Sequence, residues 1–182
     1  MRLFVSVEPP EAVLDMLRQL PRPENPALRW TTSGQWHVTL RFLGAVEDAT
    51  AVAEALARVP GALRSAGIEE VRAHLGQASA WFEGRRILQV PVSGLDGVAA
   101  AVAEATAEWG DPPRAPFVGH LTLGRVRGSG RGDRSLAGSV LEASWPVKRV
   151  DLMSSHLGPK GARYETQATV TLDRRIPPAA NH

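Results

Sequence analysis

His37-Val38-Thr39-Leu40 and His120-Leu121-Thr122-Leu123 are near copies of each other. Each reads His, aliphatic, Thr, Leu. Side chains alternate between the two faces of an extended strand, so residues i and i+2 share one face. His37 and Thr39 therefore point one way while Val38 and Leu40 point the other. His120 and Thr122 stand in the same relation to Leu121 and Leu123. The aliphatic side of each strand suits a core, and the other side presents an imidazole next to a hydroxyl. The copies are separated by close to half of the 182-residue chain, the spacing a duplicated lobe would give.

Outward from the twins, the chain alternates strand and helix signals. Leu3 to Val7 reads as a short apolar strand. Pro9-Pro10-Glu11 opens a helix with Val13, Leu14, Leu17 and Leu20 on one stripe. Pro21 to Pro26 is a proline-broken loop, and Trp30 to Gly34 reads as a turn. The first twin strand runs from Trp36 to Leu43 and ends at Gly44. Asp48 then caps a helix that closes at Pro60-Gly61. Val71 to Phe82 and Arg86 to Val92 read as strands about a Glu83-Gly84 turn. A helix from Leu95 to Trp109 follows, broken by Asp111-Pro112-Pro113. The second twin strand spans Phe117 to Val126. Strands from Val147 to Leu157 and from Arg163 to Leu172 flank a Gly158-Pro159-Lys160-Gly161 turn. The tail after Ile176 is expected to fray. Strand, helix and motif strand recur in outline, which implies a two-lobed α+β fold of mostly antiparallel strands flanked by helices. A central cleft divides the lobes, and the single bilobal domain covers residues 1–182.

Composition narrows the chemistry. The 43% apolar share is enough for a substantial core. The absence of cysteine excludes disulfides, thiolate metal sites and a cysteine nucleophile. Glu8 and Pro9-Pro10 come too early for the apolar core of a leader peptide. No apolar run approaches a membrane span. The expectation is a cytoplasmic monomer without membrane contact. A formal charge of +2 does not by itself announce nucleic acid.

Histidine titrates near neutrality, so one copy can carry a proton while the other accepts one. Two such groups and two hydroxyls converging on one cleft suit a phosphodiester. The histidines would move protons, and the hydroxyls would hold non-bridging oxygens. One His-x-Thr on a strand is weak evidence, since a half-exposed strand gives the same pattern; two matched copies favour a site. No phosphate-cradling loop of the Gly-x-x-x-x-Gly-Lys type is present, so ATP-driven chemistry is not expected. His74, His156 and His182 lack partners at metal spacing, and no metal or cofactor is implied.

Four blocks carry a family resemblance: Arg2-Leu3-Phe4-Val5, Trp36 to Gly44, Phe117 to Arg125, and Leu157 to Tyr164. Together they resemble the 2H phosphoesterases, named for their two histidine motifs. Within that superfamily the chain is most similar to the bacterial and archaeal RNA 2′,3′-cyclic phosphodiesterases, also called 2′-5′ RNA ligases. Gly119 departs from the proline that the family often has before the second histidine. The resemblance implies metal-free opening of a terminal 2′,3′-cyclic phosphate on RNA to leave a 2′-phosphate, with ligation as the same exchange using a 5′-hydroxyl in place of water. It further implies His37 as general acid, His120 as general base, and Thr39 and Thr122 as phosphoryl ligands. Physics alone asks for one acid and one base without saying which is which.

Two arginines are candidates for substrate binding. Arg125 matches an arginine of the family, but strict alternation puts it on the face opposite Thr122 unless the strand bends at Gly124. Arg41 alternates with His37 and Thr39 and so is expected at the edge of the cleft, or else as a solvated rim residue. Phe42 can stack on a base or pack in the core. Arg125, Arg127, Arg131 and Arg134, with glycines between them, read equally as a mobile basic flap or as a solvated loop. Two other functions remain open. One is the same chemistry on a small cyclic nucleotide or a cyclic ADP-ribose phosphate. The other is a non-catalytic RNA-binding module, which has no need of two titrating groups.

Overall fold

The structure, a computed structural model, describes residues 1–112, 115–158 and 161–172. Among these described residues, ten strands form one curled sheet. They are β1 (Arg2–Val7), β2 (Leu28–Trp30), β3 (Val38–Ala45), β4 (Arg72–Ala78), β5 (Ala80–Phe82), β6 (Ile87–Ser93), β7 (His120–Val126), β8 (Val140–Pro146), β9 (Arg149–Gly158) and β10 (Gly161–Thr171). The order along the sheet is β10-β9-β1-β3-β7-β6-β4-β8, with β2 added to β7 and β5 to β6. These pairings are antiparallel. The motif strands β3 and β7 meet in the middle, with β1 and β6 on their outer sides.

Helices cover one face of this sheet: α1 (Glu11–Arg18), α2 (Ala49–Leu56), α3 (Val59–Ser65) and α4 (Asp96–Ala105). Val13 and Leu17 of α1, Val52 and Leu56 of α2, and Val98 and Val102 of α4 join a single buried cluster. They pack there with Val5, Val7, Val38, Leu88, Val90 and Leu121. The alternate residues of the central strands face the other way and are free to build a cleft. A strand–helix–motif-strand unit thus occurs twice, as β1-α1-β3 and β6-α4-β7. This is the two-lobed α+β arrangement with a central cleft expected from the twin motifs. Among the described residues, no helix is long and apolar enough to cross a membrane.

Three elements differ from the sequence reading. Pro60 and Gly61 do not close the second helix; α2 ends at Leu56 and Pro60 sits in the first turn of α3. A proline's missing N–H is harmless there, because first-turn donors have no partner within the helix. Asp48 does cap α2, accepting from the Thr50 N–H at 2.8 Å. Leu28–Trp30 is a strand rather than part of a turn, and Val140–Pro146 is a strand where none was expected. Both draw their stability from partners distant in sequence, β7 and β4. The expected Pro159-Lys160 turn tip and the tail after Ile176 lie outside the described residues.

Candidate active site

The floor of the site is the bridge between the two halves of the sheet. Val38 pairs with Leu121 in antiparallel register. Both are fully buried, on the aliphatic face. Extending that register one step each way sets His37 level with Thr122 and His120 level with Thr39. Neighbours along a strand point to opposite faces, so these four polar side chains rise together on the face away from the helices. All four line one open cleft of about 430 Å³. A local two-fold axis through the Val38–Leu121 pair exchanges the motifs.

Both motif strands then break alternation at the same point. On β3, Thr39 faces Ser6 and Arg41 faces Val5, so Leu40 is an extra residue. On β7, Thr122 faces Gln89 and Gly124 faces Leu88, so Leu123 is the extra residue. A bulge of this kind reverses which face the following residues occupy. Arg125 is thereby brought into the cleft, and so is Phe42; each stands five residues after its histidine. The same reversal removes Arg41 from the cleft, which corrects the expectation of a substrate-binding or rim position. Arg41 is buried, and its guanidinium donates to the carbonyls of Ala103 and Trp109, each at 2.9 Å. It ties β3 to the C-terminal end of α4. Gly124 lets β2 pair closely with β7 at this bulge. A Cβ there would stand 3.1 Å from Leu28 Cδ1 and 3.3 Å from the Arg29 carbonyl.

The two imidazoles are held alike and surrounded differently. His120 Nδ1 lies 3.0 Å from the carbonyl of Val118, two residues upstream. A proton on Nδ1 leaves Nε2 as an acceptor. His37 likewise bonds the carbonyl of Gln35, two residues upstream. Phe4 and Tyr164 flank the His37 ring at centroid distances of 4.9 and 5.0 Å, Tyr164 edge-on. Phe82 lies 5.1 Å from the His120 ring. Burial pushes the His37 pKa down to about 4, against the opposing pull of the Gln35 carbonyl. The nearby Arg125 and His120 charges lower it further. At neutral pH, His37 is therefore uncharged in the protein alone.

Among the described residues, three arginines, Arg2, Arg29 and Arg125, line the cleft, and no acidic residue does. Arg29 and Arg125 are directly opposed across β2 and β7. Cross-strand pairs are worth roughly 0.2–1 kcal/mol each, and like charges carry the unfavourable sign. An anion between the two would remove that penalty. Among the described residues, no cluster of His, Cys, Asp or Glu is arranged to hold a metal ion.

Arg29, Thr31, Gln35, Phe4 and Tyr164 also line the site and were not picked out as site residues from the sequence. Thr31 Oγ1 donates to the carbonyls of Thr122 and Leu123, at 2.8 and 2.9 Å, and receives the Trp36 indole N–H at 3.0 Å. Gln35 donates to the Ala162 carbonyl at 2.7 Å and so fastens the first motif to β10. Phe4 and Tyr164 lie in blocks that carried the family resemblance, which was the available signal. Arg29 and Thr31 sit on or beside β2, which the sequence hides behind turn-forming residues. Gly119 also has a local reason: a Cβ there would strike the Val92 carbonyl.

The glycine- and arginine-rich segment is docked on the β5–β6 hairpin. Gly132 donates to the Arg85 carbonyl at 2.8 Å, Arg86 to Gly130 at 2.8 Å, and the Trp81 indole to Asp133 at 2.9 Å. Gly132 lies against the Trp81 ring, where a Cβ would not fit.

The LigT-like phosphoesterase family model matches residues 3–86. TT0787 of Thermus thermophilus is 26% identical, with a TM-score of 0.69 over 94% of this chain and 98% of that one. Escherichia coli LigT in its apo form is 21% identical, with a TM-score of 0.67 over 95% of this chain and 98% of that one. The same E. coli protein in complex with 3′-AMP gives 20% identity and a TM-score of 0.68 over 95% and 98% of the two chains. Residues 3–86 thus carry the LigT-like phosphoesterase pattern, and the fold is that of the LigT-like 2H phosphoesterases. The match supports a phosphodiesterase enzyme.

Proposed function

We propose that this protein is a metal-independent RNA 2′,3′-cyclic phosphodiesterase that opens a terminal cyclic phosphate to a 2′-phosphomonoester, and that the whole chain acts as one bilobal unit. The observation that carries this reading is the register of β3 on β7, which gathers two imidazoles and two threonine hydroxyls on one cleft floor. Water attacks phosphorus as His120 takes its proton. The bond from phosphorus to O3′ breaks as His37 protonates the departing oxygen. Charge growing on the phosphoryl oxygens meets the hydroxyls of Thr39 and Thr122 and the guanidinium of Arg125. Preorganised donors of this kind lower the barrier, because they need no reorientation as charge develops. The exposed ring of Phe42 at the mouth suits stacking of the terminal base. The 3′-AMP and phosphate in the E. coli LigT complexes are the chemistry such a cleft would take.

The low pKa of His37 bears on its role. A neutral imidazole cannot donate the required proton. A phosphodiester anion against the ring favours the charged form and raises the pKa. Substrate would thus protonate its own acid. With a 5′-hydroxyl in place of water as the nucleophile, the same displacement of O3′ joins two RNA ends through a 2′-5′ linkage.

The test is incubation with an oligoribonucleotide ending in a 2′,3′-cyclic phosphate in the presence of EDTA. Turnover and a 2′-phosphate product are expected. A strict need for added divalent metal, or a 3′-phosphate product, would count against the mechanism.

A further inference from the structure

Two buried polar side chains lie under the site, one in each half, without a partner. Ser6 Oγ and Gln89 Oε1 make no hydrogen bond among the described residues, although Ser6 is 0% and Gln89 7% exposed. Buried polar atoms are nearly always paired, so each such exception needs a reason. The same two-fold that exchanges the motifs relates these two. Ser6 on β1 is directly opposite Thr39, and Gln89 on β6 is directly opposite Thr122. Each is the ladder position next to the bulge of its motif strand. Directly opposed residues share a face, with Cβ atoms about 4.5–5.5 Å apart.

The cross-strand neighbours on their other side make no hydrogen bond with either of them in this structure. Ser6 is flanked on its far side by Asp151, whose carboxylate already accepts from Thr169 Oγ1 at 2.6 Å and Arg149 Nε at 3.2 Å. Gln89 is flanked by Ala80, which has no polar side chain. On the motif side stand the threonines, whose own hydroxyls have no partner among the described residues. Neither Ser6 nor Gln89 lines the cleft.

We infer that Ser6 and Gln89 are positioning residues for Thr39 and Thr122. The inference rests on the phosphodiester reading above. A threonine hydroxyl has a single proton. Once that proton turns to a phosphoryl oxygen, the threonine oxygen is left as an acceptor facing the protein. On substrate binding the Ser6 hydroxyl turns to donate to Thr39 Oγ1 and the Gln89 amide N–H to Thr122 Oγ1, contacts that neither side chain makes in this structure. Each threonine is then held with its proton aimed at the substrate, and the short donor chain strengthens the terminal hydrogen bond. No covalent step is involved.

The test compares the unmodified protein with Ser6→Ala and Gln89→Met on a cyclic-phosphate oligoribonucleotide, recording kcat, KM and Tm. Each variant is expected to lose about tenfold in kcat, the scale of one transition-state hydrogen bond. KM should stay within about twofold. Tm should hold or rise, because a buried unpaired polar group has been removed. A purely structural role would instead lower Tm. An unchanged kcat, a change in KM alone, or a kcat loss that merely follows a fall in Tm overturns the inference and leaves the cyclic phosphodiesterase reading intact. No turnover by the unmodified protein overturns both.

Discussion

The strands β3 and β7 share a backbone plan and differ in what they carry on it. Each starts from His-x-Thr-Leu, bulges at the leucine, and returns a residue to the cleft five positions after its histidine. On β3 that residue is Phe42; on β7 it is Arg125. The residue in between is Arg41 on one strand, anchoring α4, and Gly124 on the other, making room for β2. The histidines differ in the same sense. His37 is enclosed by Phe4 and Tyr164, and its pKa falls to about 4, whereas His120 has Phe82 on one side of its ring. A symmetric pair of imidazoles would have no reason to act in opposite directions. The environments separate them, and the backbone symmetry sets both on the floor of one cleft.

The largest expected effect comes from removing either imidazole. His37→Ala and His120→Ala should each cost about 10²–10⁴-fold in kcat, the usual range for general acid–base groups. Comparable losses in steady-state assays would support the equivalence of the two strands; a large loss at one site only would break it. Arg125→Ala should come next, at roughly 10- to 100-fold in kcat/KM, the worth of a charge-assisted hydrogen bond. The salt dependence of RNA binding should also become shallower. An unchanged salt slope would place Arg125 outside the phosphate contacts.

The difference between the histidines can be sharpened by titration. Tyr164→Ser opens the wall beside His37 and should raise its pKa from about 4 toward the ordinary 6.5, read by NMR. Burial disfavours the charged form, so exposure must move the value upward; a downward shift would rule out burial as the cause. Stability follows with a definite sign. The unfolded chain takes up this proton near 6.5 and the folded chain only near 4, so stability is lost as pH falls through that window. Urea midpoints of His37→Gln should fall less between those two pH values than those of the unmodified protein. Phe42→Ala is the smallest change. With 69% of Phe42 exposed, stability should move by less than about 0.5 kcal/mol, while KM for a nucleotide substrate rises a few-fold.

The twin motifs were enough to read a two-lobed α+β fold and to set His37, Thr39, His120 and Thr122 on the polar faces of their strands, because a strand's period of two assigns faces without any tertiary information. The same rule misassigns Arg41 and leaves Arg125 on the wrong face. Each motif strand inserts one extra residue, and a bulge depends on the partner strand rather than on local preference. Arg29 and Thr31 were invisible for a related reason: β2 is three residues long and exists through its pairing with β7.

Local alternation was therefore sufficient to decide which side of each motif strand carries the imidazole and the hydroxyl. Folding in three dimensions alone decided that the two sides are one cleft, through the Val38–Leu121 bridge. It also decided which arginine reaches that cleft and which histidine is enclosed by aromatic rings. Register, bulges and desolvation arise between segments far apart in the chain, and no stretch of sequence read by itself contains them.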